Sequence, residues 1–393
     1  MKLFHQTGFR QNWNIQSYEQ DNIGDGLIFS PVNFEKEKLI KIKSEIKSKS
    51  IFDPQFYLIN DRKGKLSSYN FFYTDVNTSD YEKTSRMIAK NCLDFQIENK
   101  FLYNVIPSRY YDELPMNFYD QYYENIISPF VKYHKAVSNE DNLLLTFIVK
   151  QIHITDESTR NRILNWITSI QGIKGVYLIF ETNFNTKQIK DFEYLYNSLL
   201  FIHYLKLNNL EVHIGYTNTE GILYSLANPD SISMGSYENL RNFSIKRFET
   251  TEKKPMKAPR ARLYIGNLFQ WIDYDYIKAI VRLYPDHRNL IEQSRYNPIM
   301  FEPSFNWHFA KAEPYKHFFK VFSNQVSELP SDFFERISYL KNEFKNAIIK
   351  YNEISECNIA MDENSDGSHL SHWLNAISLF EKYIKDNPYE FQN

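Results

Sequence analysis

The chain has 393 residues, a formal net charge of −2 and two cysteines. Its length suffices for a large buried core, and its near-neutral charge argues against a surface built throughout for nucleic acid. Cys92 and Cys357 lie far apart and form no zinc-ligand spacing, so the sequence predicts neither a structural zinc site nor a disulfide scaffold.

The apolar segments are too short to span a membrane. A span needs ~18 apolar residues, and even 199–210 is interrupted by His203, Lys206 and two asparagines. The first residues, MKLFHQTGFRQNW, lack the long apolar core of a secretory signal peptide. We therefore expect a cytoplasmic protein with no membrane partner.

Short apolar runs alternate with longer amphipathic stretches along most of the chain. The runs predict eight strands, at 26–31, 51–59, 103–108, 143–149, 176–180, 211–216, 231–235 and 262–265. The stretches that follow them predict helices at 34–48, 80–93, 116–135, 157–170, 187–208, 218–227 and 273–283. Near-continuous apolar strands joined by amphipathic crossovers are typical of a parallel sheet.

Eight strands in this order predict an α/β fold with a (β/α)8 barrel over residues 1–296. The alternative that the pattern leaves open is a doubly wound open parallel sheet. Residues 297–393 predict an aromatic linker, in which Pro303 and Pro314 argue against one continuous helix, and then a C-terminal helical extension. Its two amphipathic helices are predicted at 329–352 and 368–386.

Motifs for common cofactors are absent from the sequence. No GxGxxG, GxxxxGK[ST], HExxH or GxSxG motif occurs, and Gly24-Asp25-Gly26 precedes its strand where a phosphate loop would follow it. We therefore predict an activity that needs no cofactor.

One segment, DENSDG at 362–367, matches the opening of a calcium-binding EF-hand loop. The twelfth position of that loop is Trp373, where a bidentate glutamate would complete the calcium shell. We predict instead a turn that caps the last helix, with calcium as the alternative. His369 and His372 lie three residues apart on that helix, but no third ligand is evident, so no metal site is predicted.

Charged residues gather near the predicted strand ends, where a parallel barrel binds its ligands. Asp53 and Glu181 are the candidate catalytic acid and base, because two carboxylates can divide these roles when their surroundings separate their pKa values. Lys150 is the candidate charge stabiliser or base. The alternative for each is an ion pair that closes the barrel end. The candidate substrate-binding residues are Arg109, Asn218, Gly235, Ser236, Arg241 and Arg262.

The segment at Gly235 is the densest local candidate for binding an anion. A glycine at a strand end lets backbone N–H groups approach a ligand, and Arg241 follows six residues later. The basic segment 246–262 either follows a phosphate backbone or forms a solvated loop; both interpretations stay open.

Two functions from different classes fit these observations. The first is a cofactor-independent barrel enzyme acting on a phosphate-bearing or other anionic substrate, with a nucleotide or nucleic acid as one form of it. The second is a non-catalytic scaffold or nucleic-acid-contacting subunit, whose aromatic C-terminal region binds a protein partner or a second copy. An open pocket lined by Asp53, Lys150 and Glu181 favours the enzyme, and bulky apolar packing beside an exposed aromatic patch favours the scaffold.

Overall fold

A computed structural model describes residues 1–58, 64–71, 81–182, 187–250 and 259–391. Eight parallel strands form one sheet in the order β3-β2-β1-β8-β7-β6-β5-β4. These strands, β1 to β8, are Lys2–Gln6, Gly26–Phe29, Ile51–Phe52, Asn104–Ile106, Leu143–Lys150, Gly175–Glu181, Glu211–Gly215 and Ser231–Gly235.

The sheet closes on itself through its two outer strands. A parallel bridge between Ile51 and Tyr103 links β3 to the residue before β4. Each strand therefore lies beside its neighbours in the chain, as in a barrel and unlike a doubly wound sheet. The predicted (β/α)8 barrel is confirmed.

Helices surround the barrel and extend beyond it at the C-terminal end. Named α1 to α16 in chain order, they are Gln11–Asp21, Lys36–Ile40, Ser44–Lys47, Tyr81–Glu98, Phe118–Tyr122, Ser128–Val137, Gln151–Thr155, Glu157–Ser169, Phe192–Leu207, Gly221–Tyr224, Tyr274–Leu283, His287–Leu290, Asn297–Met300, Glu313–Ser327, Phe333–Glu356 and His369–Asp386. Among the helices in the described ranges, none combines the length and apolar character that a membrane crossing requires.

The barrel contains one strand that the sequence pattern did not predict. β1 carries His5 and Gln6, and both side chains are fully buried. His5 Nε2 lies 2.8 Å from the Ile23 carbonyl oxygen, and Gln6 Oε1 accepts from the Tyr177 hydroxyl at 3.4 Å. Because these partners are distant in sequence, the polar residues of β1 did not indicate a buried strand.

The predicted eighth strand lies outside the barrel. Strand β9, Arg262–Ile265, pairs antiparallel with β10, Gln270–Asp273, in a separate two-stranded sheet. The barrel therefore begins with β1 and ends with β8, and the assignment of 262–265 to it was wrong. Local apolar content predicts a strand, but the partner of that strand depends on the whole fold.

The C-terminal helices share the core of the barrel. Phe318 of α14, Phe344 of α15 and Trp373 of α16 belong to the same buried cluster as the barrel strands. The Trp373 indole donates to the Ile189 carbonyl at 3.0 Å. Helix α14 begins inside the predicted linker. Pro314 does not interrupt it, because Pro314 occupies the first turn, where proline loses no helical hydrogen bond.

The barrel interior is closely packed around Tyr177. A Cβ atom at position 215 would lie 2.2 Å from the Tyr177 hydroxyl oxygen, so Gly215 gives that ring its space. At the amino ends of the strands, His213 Nδ1 lies 2.8 Å from Ser231 Oγ, and His213 Nε2 lies 3.3 Å from Glu211 Oε2. These groups resemble a nucleophilic triad, but Ser231 is only 1% exposed and is the first residue of β8, at the amino end of the barrel. They therefore stabilise the fold.

Candidate functional site

Asp53 lies directly after β3 and is 1% exposed. Its Oδ2 accepts a hydrogen bond from the Tyr57 hydroxyl at 2.7 Å and from the Tyr216 hydroxyl at 3.4 Å. Its Oδ1 accepts from the Gln55 backbone N–H at 3.0 Å. Burial raises the pKa of Asp53 to about 6, although these hydrogen bonds act in the opposite direction.

Aromatic side chains fill the barrel mouth above this carboxylate. The ring centroid of Tyr57 lies 5.1 Å from that of Phe243 and 4.8 Å from that of Phe248. Tyr216 packs on Phe243 at 5.4 Å. All four rings are buried, and together with the 1% exposure of Asp53 this leaves the carboxylate covered within the described part of the chain. Of the pockets that the described residues form, Lys150 lines one small cleft, and Asp53 and Glu181 do not join it there.

Lys150 and Glu181 pair directly across β5 and β6, with Tyr110 between their side chains. The Tyr110 hydroxyl donates to Glu181 Oε2 at 2.8 Å, and Lys150 Nζ lies 4.6 Å from the centre of the Tyr110 ring. Lys150 Nζ also donates to the carbonyls of Tyr111 and Asp112, at 3.3 and 2.7 Å. The sequence analysis missed Tyr110, although it follows directly on the candidate Arg109.

Arg109 lines a separate small cleft of about 290 Å³ with Lys150 and His153. Burial, and next the charge of Lys150, lower the pKa of His153 to about 4. This cleft lies at the ends of β4 and β5, apart from the other predicted anion-binding residues.

A polar pocket opens at the carboxyl ends of β6, β7 and β8. Its volume is about 540 Å³, including solvent at its mouth. Two of the predicted substrate-binding residues, Asn218 and Arg241, line it. The polar and charged residues that join them include Thr182, Lys187, Gln188, Glu220, Glu238 and Asn242.

Arg241 is a buried cation that forms no ion pair among the described residues, although the charges of Glu238 and Glu220 act on it from a greater distance. It is 8% exposed, and its guanidinium carbon lies 4.1 Å from the centre of the Trp271 ring. Its Nη1 donates to the carbonyls of Gly235 and Ser236, whereas its buried Nε finds no hydrogen-bond partner among the described residues. Within the described ranges, no carboxylate oxygen lies within 4.0 Å of Arg241. Burial lowers its pKa to about 10, so it stays charged at neutral pH.

The backbone at Gly235 contacts Arg241 through its carbonyl oxygens, and the predicted role of its N–H groups in binding an anion stays a prediction. The carbonyls of Gly235 and Ser236 accept from Arg241, so this segment holds the arginine. A Cβ atom at 235 would lie 2.4 Å from the Leu240 Cβ, so the glycine is needed for chain packing. The Ser236 hydroxyl oxygen is buried and, within the described ranges, has no hydrogen-bond partner.

Glu220 is the buried carboxylate of this pocket, beside the more exposed Glu238, and the sequence analysis missed it. It is 6% exposed, and burial raises its pKa to about 7. Its Oε1 accepts from the Asn218 backbone N–H at 3.0 Å. The Asn218 amide donates to the Lys187 carbonyl at 3.0 Å, and its buried Oδ1 has no hydrogen-bond partner in the part of the chain that the structure describes. The only sequence signal for Glu220 was its position in the turn after β7.

Arg262 does not reach this pocket. Its Nη1 donates to the Trp271 carbonyl at 2.9 Å and to the Asn364 carbonyl at 2.7 Å. It therefore fastens the turn at 362–367 to the β9–β10 hairpin. In that turn, Asp366 Oδ1 accepts from the Ser368 hydroxyl at 2.6 Å.

The basic segment 246–262 is only partly described. Arg247 lies over the Tyr216 and Phe248 rings, at 5.7 and 5.5 Å, and bonds to the Asn239 carbonyl. Arg260 pairs with Asp273 at 3.4 Å. The remaining basic residues of its centre, Lys253, Lys254 and Lys257, lie outside the described residues.

Comparison with protein-family models, with curated proteins and with solved structures finds no match to this chain. Among the residues that the structure describes, no three His, Cys, Asp or Glu side chains lie close enough together to hold a metal ion.

Proposed function

We propose that the protein is a cofactor-independent barrel enzyme that acts on a phosphate-bearing or other anionic substrate in the pocket at the ends of β6, β7 and β8. The observation that carries this proposal is Arg241, a buried guanidinium on a pocket wall with no ion-pair partner among the described residues. Burying a cation is costly unless an opposite charge compensates it. A substrate anion supplies that charge.

Glu220 is the proposed general acid and base. A carboxyl group with a pKa of about 7 populates both protonation states at neutral pH, which suits proton transfer in either direction. An anion bound near Glu220 disfavours its ionised form, so Glu220 begins the reaction as the acid. Lys187, paired with Glu238 at 2.5 Å, lies on the pocket wall as the second cation.

Asp53, Lys150 and Glu181 have no catalytic role in this proposal. Asp53 lies beneath buried aromatic rings, and Tyr110 separates Lys150 from Glu181. Their roles in catalysis stay predictions. In the proposal they stabilise the mouth of the barrel beside the pocket.

The test is binding of inorganic phosphate and of phosphorylated metabolites, measured by thermal shift and by calorimetry. A ligand that binds the folded state raises the melting temperature with concentration. We expect binding to the natural chain and at least about tenfold weaker binding to Arg241→Met. The matched control is Arg160→Met, because Arg160 is 7% exposed and bonds to Ile154 and Asn197 outside the pocket.

Equal binding by both variants, or no binding of any anion to the natural chain, would contradict the proposal. A ligand identified in this way then defines the assay for turnover. In that assay Glu220→Gln should lose activity and retain ligand binding.

A second candidate function is a non-catalytic scaffold. The filled mouth above Asp53 favours it, as does the exposure of Phe9, whose side chain is 74% accessible to solvent. Native mass spectrometry of the untagged protein tests it. A stoichiometric partner chain, together with no anion binding, would support the scaffold.

A further inference from the structure

A group of partly exposed aromatic residues lies beside the pocket. We call Phe9, Trp13, Tyr237 and Tyr315, with Arg10, the aromatic platform. Trp13 stacks on Tyr315 with ring centroids 5.3 Å apart and an angle of 18° between the planes. Tyr237 packs on both, at 5.8 and 5.2 Å. Arg10 lies over the Phe9 ring at 5.1 Å and over the Trp13 ring at 5.8 Å.

The platform and the pocket share one segment of chain. Tyr237 directly precedes Glu238, which lines the pocket. Trp271 contacts both. The Arg241 guanidinium carbon lies 4.1 Å from the centre of the Trp271 ring, and the centroids of the Trp271 and Tyr315 rings are 5.9 Å apart. Arg241 and Tyr315 therefore contact the same buried ring, which places the anion site and the platform one aromatic residue apart.

Packing of the fold does not account for the outer part of the platform. Phe9 is 74% exposed, and it follows β1 at the carboxyl end of the barrel, where ligands bind. In the described part of the chain, no carboxylate oxygen lies within 4.0 Å of Arg10. Exposed aromatic faces beside guanidinium groups are the usual means by which proteins stack nucleobases.

We infer that the substrate is a nucleotide, whose base stacks on the aromatic platform and whose phosphate lies against Arg241. This inference rests on the proposed function, because it uses the same pocket for the anion. It adds the chemical class of the substrate. Among the described residues, neither Arg241 nor Arg10 forms an ion pair with a carboxylate, which favours an anionic occupant over an apolar protein segment.

The test compares probes that carry a phosphate with and without a base. Calorimetry measures the affinities of AMP, CMP and ribose 5-phosphate for the natural chain. Stacking of a base predicts that one or both nucleotides bind at least about tenfold more tightly than ribose 5-phosphate. Phe9→Ala and Trp13→Leu should reduce that preference and leave the affinity for ribose 5-phosphate unchanged.

Two control variants make this result specific. Trp13→Phe keeps an aromatic ring and should retain most of the preference. Phe334→Leu removes an aromatic ring that is 48% exposed on α15, and it should leave all three affinities unchanged. Phe9→Ala changes an exposed side chain, so it keeps the test valid if Trp13→Leu does not fold.

The outcomes separate this inference from the proposed function. If ribose 5-phosphate binds with the same affinity as both nucleotides, and Arg241→Met abolishes its binding, the nucleotide inference is wrong and the anion pocket stands. If no phosphate compound binds, both are wrong. If a base preference exists but Phe9→Ala and Trp13→Leu retain it, the assignment of the platform is overturned.

Discussion

Replacing Glu220 by glutamine should stabilise the protein at neutral and alkaline pH. Burial raises the pKa of Glu220 from 4.5 to about 7, so the folded state holds its proton more tightly than the unfolded state does. The favourable contribution is complete below pH 4.5 and is lost as the pH rises towards 7. Each pKa unit corresponds to about 1.4 kcal/mol, so the loss amounts to about 3 kcal/mol.

The glutamine side chain matches glutamate in shape and keeps an Oε1 atom that can accept from the Asn218 backbone N–H. The difference in unfolding free energy between Glu220→Gln and the natural chain should therefore be small at pH 4.5. It should grow to about 3 kcal/mol in favour of the variant by pH 8, because only the natural chain then buries an ionised carboxylate.

Urea denaturation at pH 4.5, 5.5, 6.5, 7.5 and 8 measures this difference directly. Glu356→Gln, at an exposed position at the end of α15, reports the effect of the amide substitution itself. A difference for Glu220→Gln that stays constant across the pH range would refute the argument that this carboxyl group is buried with a raised pKa.

Three further changes test other parts of the structure. Gly215→Ala should lower the unfolding free energy by about 1–3 kcal/mol in urea denaturation, because its Cβ would meet the Tyr177 hydroxyl; an unchanged value would contradict the close packing. Burial lowers the pKa of His369 from 6.5 to about 3, so its contribution to stability is complete above pH 6.5 and is lost as the pH falls. His369→Phe should therefore gain about 2 kcal/mol relative to the natural chain between pH 7 and pH 5, and parallel pH profiles would exclude this. Tyr110→Phe removes the hydrogen bond to buried Glu181 and should lower the melting temperature, with a loss of about 1–3 kcal/mol; no change would show that water replaces the hydroxyl.

The strands with uniform apolar runs were predictable from the sequence. Residues 143–149 and 176–180 correspond to Leu143–Lys150 and Gly175–Glu181, because strands buried on both faces need apolar residues at nearly every position. β1 was not predictable in this way, since its buried His5 and Gln6 are satisfied by partners far along the chain. Burial of a polar residue depends on tertiary contacts that a local pattern does not contain.

The candidate site was predictable in its location but not in its composition. Asn218 and Arg241 were found because they follow strand ends, and both line the pocket. Glu220 was missed because its raised pKa results from burial. Arg262 lies outside this pocket, because its strand resembles those of the barrel in sequence but pairs with β10. The contacts of an arginine side chain and the burial of a carboxyl group are known only from the folded structure.

The most direct measurement is an NMR titration of the Arg241 guanidinium with inorganic phosphate. Protein labelled with ¹⁵N at the arginine Nε atoms gives one signal for each ordered side chain, and Arg241→Lys identifies the signal of Arg241 by its loss. The account predicts a saturable shift of that signal, while the Arg160 signal stays in place. A signal that does not move at saturating phosphate, or shifts of equal size at both arginines, would contradict the claim that Arg241 binds an anionic substrate.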